Sequence, residues 1–149
     1  SGWLLDTNVL SELAKPEPEP TVVDFVVQAV PAYVLAISLH ELRFGIERLA
    51  EGRRKSALLR WLTSLEALYG AAVIPVGPAE ATAAATLRAI ATRHGRTLHL
   101  ADGLIAGTAF RHDLAVATRN VGDLLDLPIS VINPWAELQS QGFGSSIVG

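Results

Sequence analysis

Four carboxylates from well-separated stretches carry the chemistry this chain could do: Asp6, Glu41, Asp102 and Asp123. Asp6 directly follows the apolar run Trp3-Leu4-Leu5, and Asp102 is embedded in Leu98-His-Leu-Ala-Asp-Gly-Leu-Ile-Ala106. Carboxylates brought within about 4–6 Å of each other in apolar surroundings raise one another's pKa or require a cation. An all-oxygen donor set favours a hard divalent ion, Mg²⁺ or Mn²⁺, over softer metals. Such ions acidify a bound water and act as Lewis acids on bound oxygens. The four histidines, His40, His94, His99 and His112, show no zinc spacing. The chain has no cysteine, so thiolate metal sites, disulfides and cysteine nucleophiles are excluded.

Each acid taken singly has a purely structural explanation. Ser38-x-x-Glu41 has the spacing of a capping box. Asp102 can favour the positive end of a helix dipole, worth roughly 0.3–1 kcal/mol. Asp6 can cap the helix that follows it, and Asp123 can sit in an exposed turn. The chemistry therefore depends on whether the fold brings the four to one place.

The apolar pattern alternates between strands and helices. Strands are expected at residues 3–5, 33–37, 72–76, 114–117 and 130–132. Helices are expected at 8–15, after a Thr21 cap, and at 38–50, 56–69, 78–94 and 101–111, with a short one at 121–125. Lys15-Pro-Glu-Pro-Glu-Pro20 reads as a stiff connector, and Arg53-Arg54-Lys55 as a small basic cluster before a helix. Pro134 opens a last helical turn, and the polar, glycine-rich residues from 139 on, 140–149 above all, are expected to fray. Strands separated by helices imply parallel strands joined by right-handed crossovers, hence a three-layer α/β/α sandwich on a five-stranded parallel sheet. Ligands in such folds sit beyond the carboxyl ends of the strands. All four acids fall at that edge.

A chain of 149 residues, half of them hydrophobic and only 18% charged, fits a single domain with a sizeable core, and excludes global disorder. Ser1-Gly2 reads as a remnant of tag removal. The longest uncharged apolar stretch, 25–39, contains Gln28 and is broken by Pro31, so no membrane span is expected. No signal peptide is read at the start, and the absence of cysteine suits the cytoplasm, the expected location. A net charge of −3 is unlike a basic nucleic-acid module. Two divalent ions on the four acids would nevertheless bring that charge to +1, so a polyanionic substrate stays compatible. Arg119, beside the fourth acidic stretch, is the arginine assigned to substrate contact.

The ordered motifs resemble a known family. Leu4-Leu-Asp-Thr-Asn-Val-Leu10 resembles the opening of PIN-domain nucleases. Ser38-Leu-His-Glu-Leu-Arg-Phe-Gly45, Ala101-Asp-Gly-Leu-Ile-Ala-Gly-Thr-Ala109 and Thr118-Arg-Asn-Val-Gly-Asp123 resemble the second, third and fourth acidic motifs. Asn133-Pro-Trp135 matches a frequent ending. At this length the chain is most similar to VapC-type toxins of bacterial toxin–antitoxin pairs. The resemblance implies a PIN-like fold with Asp6, Glu41, Asp102 and Asp123 as the metal-site and catalytic acids. Thr7, Asn8, Thr118 and Asn120 match the polar residues that accompany them, and either Asn120 or Asp123 can be the direct metal contact.

The resemblance further implies a Mg²⁺- or Mn²⁺-dependent endoribonuclease that leaves 5′-phosphates and inhibits translation and growth. Its partners would be an RNA substrate, a cognate antitoxin protein, and a second copy in a homodimer, with a heterotetramer or larger assembly on the antitoxin. Gly103 and Gly107 depart from the family, which more often has alanine there, and are expected to loosen the segment carrying Asp102. Two other readings keep the same fold: an RNA-processing PIN nuclease outside a toxin–antitoxin pair, and a non-catalytic PIN module that binds RNA or protein. Such modules commonly lose acids, and here all four are present. A haloacid-dehalogenase phosphatase would need a second aspartate where Asn8 stands. A response-regulator receiver would need adjacent acids after the first strand.

Overall fold

Adjacent residues of a strand point to opposite faces of a sheet. Here both members of the pairs Leu4/Leu5, Val34/Leu35 and Val116/Ala117 are buried, so the sheet is covered on both sides. The computed structural model, described for residues 1–136, contains five strands: β1 (Trp3–Leu5), β2 (Ala32–Leu35), β3 (Val73–Ile74), β4 (Ala115–Ala117) and β5 (Val131–Ile132). All pairings are parallel, in the order β3-β2-β1-β4-β5. Trp3 is in register with Ala32 on one side and Ala115 on the other. The helices are α1 (Thr7–Leu13), α2 (Pro20–Gln28), α3 (Ala36–Glu47), α4 (Arg53–Tyr69), α5 (Pro78–Arg93) and α6 (Leu100–His112). Short 3₁₀ turns occupy Gly70–Ala72 and Val121–Leu124.

Two apolar cores make the three layers. Leu5, Val34 and Ala117 face Val9 and Leu10 of α1, Val22 and Phe25 of α2, Leu42 and Ile46 of α3, and Leu62 and Leu65 of α4. Leu4, Leu35 and Val116 face Leu87 and Ala91 of α5 and Ile105, Ala106 and Ala109 of α6. The expected sandwich is therefore the observed one. Strand order reverses at β1, which has β2 on one side and β4 on the other. That is the switch point where α/β sheets open a crevice, and Asp6 is the residue that leaves β1 there.

Several boundaries differ from the sequence reading, each for a local reason. β2 ends at Leu35, and α3 begins at Ala36 with no intervening loop. Glu41 therefore lies in the second helical turn, and the Ser38-x-x-Glu41 capping box does not form. Ser38 is instead fully buried inside the helix. α2 starts at Pro20, before Thr21, because proline is preorganised for the first helical position. α4 starts at Arg53, so the basic cluster is its first turn. Lys55 there is buried and donates to the Glu47 carbonyl (3.1 Å) and Glu51 (2.7 Å). The third strand shortens to two residues because a 3₁₀ turn takes Ala72 and Pro75, which has no amide proton for the ladder, ends it. After Pro134 the chain makes a turn in which the Trp135 amide donates to Asn133 Oδ1 (2.9 Å). The segment expected to fray lies outside the described residues. Among the described residues no helix is long and apolar enough to cross a membrane.

Gly103 and Gly107 have a role opposite to the expected loosening. α6 runs unbroken through both. A Cβ on Gly107 would stand 2.7 Å from Ala84 Cα of α5, and one on Gly103 2.6 Å from Arg88 Cγ. They allow α5 and α6 to approach closely beneath Asp102.

Candidate active site

Each acid is delivered by an element boundary. Asp6 is both the end of β1 and the N-cap of α1: its Oδ1 accepts the Thr7 amide at 2.7 Å. Capping and site membership thus coexist in one side chain. Asp6 Oδ2 accepts the Thr118 hydroxyl at 2.8 Å. Thr118 follows β4, is fully buried, and itself accepts from Asn8 Nδ2 and from the Asn120 amide, both at 3.1 Å. Asn8 Oδ1 accepts the Arg119 amide at 3.2 Å. The loops after β1 and β4 are in this way laced together around Asp6.

Glu41 is held from α1. Thr7 Oγ1 lies 2.6 Å from Glu41 Oε1 and 2.9 Å from Ser38 Oγ. One hydroxyl carries one proton, so the consistent arrangement has Thr7 donating to Glu41 and accepting from Ser38. Asp102 lies in the first turn of α6, as its sequence position required.

Asp6, Glu41 and Asp102 line one cleft of about 300 Å³, with Thr7, Asn8, Ser11, Ala101, Ile105 and Asn120. Thr118, fully buried, lies behind this wall and holds Asp6. Asp123 is exposed in the 3₁₀ turn and is not part of the cleft wall. Its charge nevertheless reaches Asp102. Arg119 also lies outside the wall, with its guanidinium 4.7 Å from the centre of the Trp135 ring. Two residues were not singled out from the sequence: Ser11 and Ser38. Ser11 falls one helical turn after Thr7, a spacing that could have placed it. Ser38 was hidden by its resemblance to a cap.

The electrostatics are those of crowded acids. Burial pushes the Asp6 carboxyl above its ordinary value, and the Asp102 and Glu41 charges add to this against the hydrogen bonds from Thr118 and Thr7. Asp102 is likewise pushed up by burial, then by Asp123 and Glu41, with His99 opposing. Among the described residues no lysine or arginine forms a salt bridge with any of the four acids. Nor are three acidic or imidazole side chains already gathered to hold an ion as they stand. Asp6 and Glu41 are turned onto their hydroxyl and amide neighbours instead. The donor chemistry still fits a hard cation: carboxylates, hydroxyls and amide oxygens, with repulsion that a positive charge would relieve.

Comparison with known proteins bears on this geometry. The PIN domain family model matches residues 3–124. Toxin FitB of Neisseria gonorrhoeae is 38% identical over 135 residues, covering 89% of this chain and 97% of that protein. A VapC ribonuclease, Y4jK, of Sinorhizobium fredii is 38% identical over 136 residues, covering 89% and 96%. The crystal structure of FitAcB from Neisseria gonorrhoeae superposes with a TM-score of 0.84 at 37% identity, covering 90% of this chain and 99% of that one. With a domain match over most of its length and relatives of near-equal size, this chain belongs to the PIN-domain family.

Proposed function

We propose that this chain is a divalent-metal-dependent endoribonuclease and the toxin of a toxin–antitoxin pair. The observation that carries the reading is the cleft at the β1 switch point, where Asp6, Glu41 and Asp102 meet without a cationic partner among the described residues. Relatives named as a toxin and as a ribonuclease support it. Asp6, Glu41 and Asp102 would hold Mg²⁺ or Mn²⁺, and Asp123 would complete that site or help a second ion. When bound, the ion supplies a water of lowered pKa and draws charge from the phosphate.

The chain's own residues do the positioning. Thr118 and the Thr7 amide fix the two oxygens of Asp6. The Thr7 hydroxyl fixes Glu41. Asn8 and Asn120 both donate to Thr118 and line the cleft with polar groups. Arg119, its amide tied to Asn8, places positive charge at the rim for RNA backbone phosphates. Hydrolysis by an activated water leaves a 5′-phosphate and a 3′-hydroxyl, with the 2′-hydroxyl free for recognition. Activity in the cytoplasm would be held in check by an antitoxin protein, on a toxin homodimer.

The test is cleavage of a mixed-sequence structured RNA pool by wild type and Asp6→Asn, in EDTA, Mg²⁺ and Mn²⁺, with product ends mapped. Metal-dependent cuts with 5′-phosphates, lost in the folded mutant, are expected. Cyclic 2′,3′-phosphate ends, or an unimpaired mutant, would refute the mechanism. Growth arrest on induction of wild type but not Asp6→Asn checks the toxin role.

A further inference from the structure

One arginine outside the cleft is built into the fold with more care than a surface charge needs. α5 ends in a Schellman motif: the Gly95 amide donates to the Thr92 carbonyl and the Arg96 amide to the Ala91 carbonyl, both at 2.9 Å. Gly95 takes the left-handed conformation, φ +75°, that this motif requires. The backbone of Arg96 is thereby fixed, and its side chain is aimed across to the turn that follows β4. There its guanidinium donates to the carbonyls of Gly122 and of Leu125, the latter at 3.1 Å, and lies 3.7 Å from Asp126 Oδ2.

These three acceptors enclose Asp123. Gly122 precedes it, and Leu125 and Asp126 follow it. On the other side of the turn, the Asp123 amide donates to the Asn120 carbonyl at 3.1 Å, and the Asn120 amide donates to Thr118, which holds Asp6. Leu124 is buried in the core shared with α6 and seats the turn from below. The turn is thus fastened at both ends, to Thr118 through Asn120 and to the end of α5 through Arg96. Its Nη1 takes the Leu125 carbonyl and its Nη2 the Gly122 carbonyl, a division between two nitrogens held in a fixed fork that the single nitrogen of an ammonium lacks.

We propose that Arg96 is a positioning residue for the acidic site: it clamps residues 122–126 so that Asp123 keeps its place on the turn that leaves the cleft at Asn120 and is available to the metal. The proposal rests on the metal-site reading above and adds a residue that touches neither substrate nor ion. It explains how an exposed aspartate in a 3₁₀ turn, the least regular element near the site, is kept in place.

The experiment is a double-mutant cycle read by Mn²⁺ binding, with wild type, Arg96→Ala, Asp123→Asn and the double variant titrated by calorimetry. Loss of an outer partner of this kind weakens metal affinity by about tenfold, and that loss is expected for Arg96→Ala. The double variant should bind no more weakly than Asp123→Asn alone, because Arg96 acts through Asp123. Hydrogen exchange of the amides at 121–125 should quicken in Arg96→Ala. Arg96→Lys, which keeps the charge and loses the fork, should resemble Arg96→Ala in both readouts. Wild-type Mn²⁺ affinity in Arg96→Ala, an undiminished further loss in the Asp123→Asn background, or unchanged exchange at 121–125 would each overturn the clamp while leaving the metal site standing. Wild-type protein that binds no Mn²⁺ would overturn the metal reading and the role of Arg96 together.

Discussion

Asp6 concentrates the conflict between stability and chemistry in one side chain. It is held by the Thr7 amide and the Thr118 hydroxyl, yet burial still pushes its carboxyl above its ordinary value of 3.8. An acid whose pKa is higher in the folded than in the unfolded state binds more protons when folded. Its contribution to stability is therefore lost as pH rises from below 3.8 through the raised value. In EDTA, Asp6→Asn should remove this loss and melt no lower than wild type at neutral pH. Thermal melts of both proteins across the acid range check this, and a mutant that melts well below wild type at pH 7 would refute it. The comparison must be differential, because Glu12 and Glu80 are shifted the other way by their partners and lose stability as pH falls. Metal binding must expel the same protons, so Mn²⁺ affinity should fall as pH is lowered through the raised range.

At the scale of elements, the α5–α6 contact sets where Asp102 stands. Two effects compete at Gly107. Alanine would favour the helix by about 1 kcal/mol. Overpacking in a filled contact costs about 1–3 kcal/mol. The obstructing atoms at Gly107 belong to the Ala84 backbone, which cannot swing aside, so overpacking wins. Gly107→Ala should lower stability by up to about 2 kcal/mol and weaken Mn²⁺ binding by moving α6. Gly103→Ala meets the flexible chain of Arg88, whose Nε donates to the Leu98 carbonyl at 2.8 Å. Its cost should be smaller. Denaturant midpoints of the two variants test the order, and an equal or reversed ranking would count against this account.

For the whole molecule, 15 acidic against 12 basic residues leave a net charge of −3, and a cleft lined by Asp6, Glu41 and Asp102 repels the polymer it is proposed to cut. A divalent ion reduces both. Binding only to the folded state at about 100 times its dissociation constant stabilises by about 2.7 kcal/mol. For a domain of this size that raises the melting temperature by about 5–10 °C. Differential scanning fluorimetry with Mn²⁺, and with EDTA as control, should show this shift in wild type and lose most of it in Asp102→Asn. An equal shift in both would mean that the ion binds elsewhere.

The sequence by itself determined the layers and the acids. Paired apolar residues such as Leu4 and Leu5 demand a sheet covered on both faces, and Asp6 follows a strand and Asp102 opens a helix whatever the details of packing. Periodicity is a local property, so it survives without long-range information. What only tertiary structure decided were the junctions and the second rank of side chains. The direct passage from Leu35 into α3 moved Glu41 to the second turn and made Ser38 a buried partner of Thr7 instead of a cap. The contact between α5 and α6 turned Gly103 and Gly107 from expected weak points into points of close approach. The hold of Arg96 on a turn 26 residues away depends on where the end of α5 meets the loop after β4. Such pairings join residues distant in the chain, and no local spacing encodes which of them will meet.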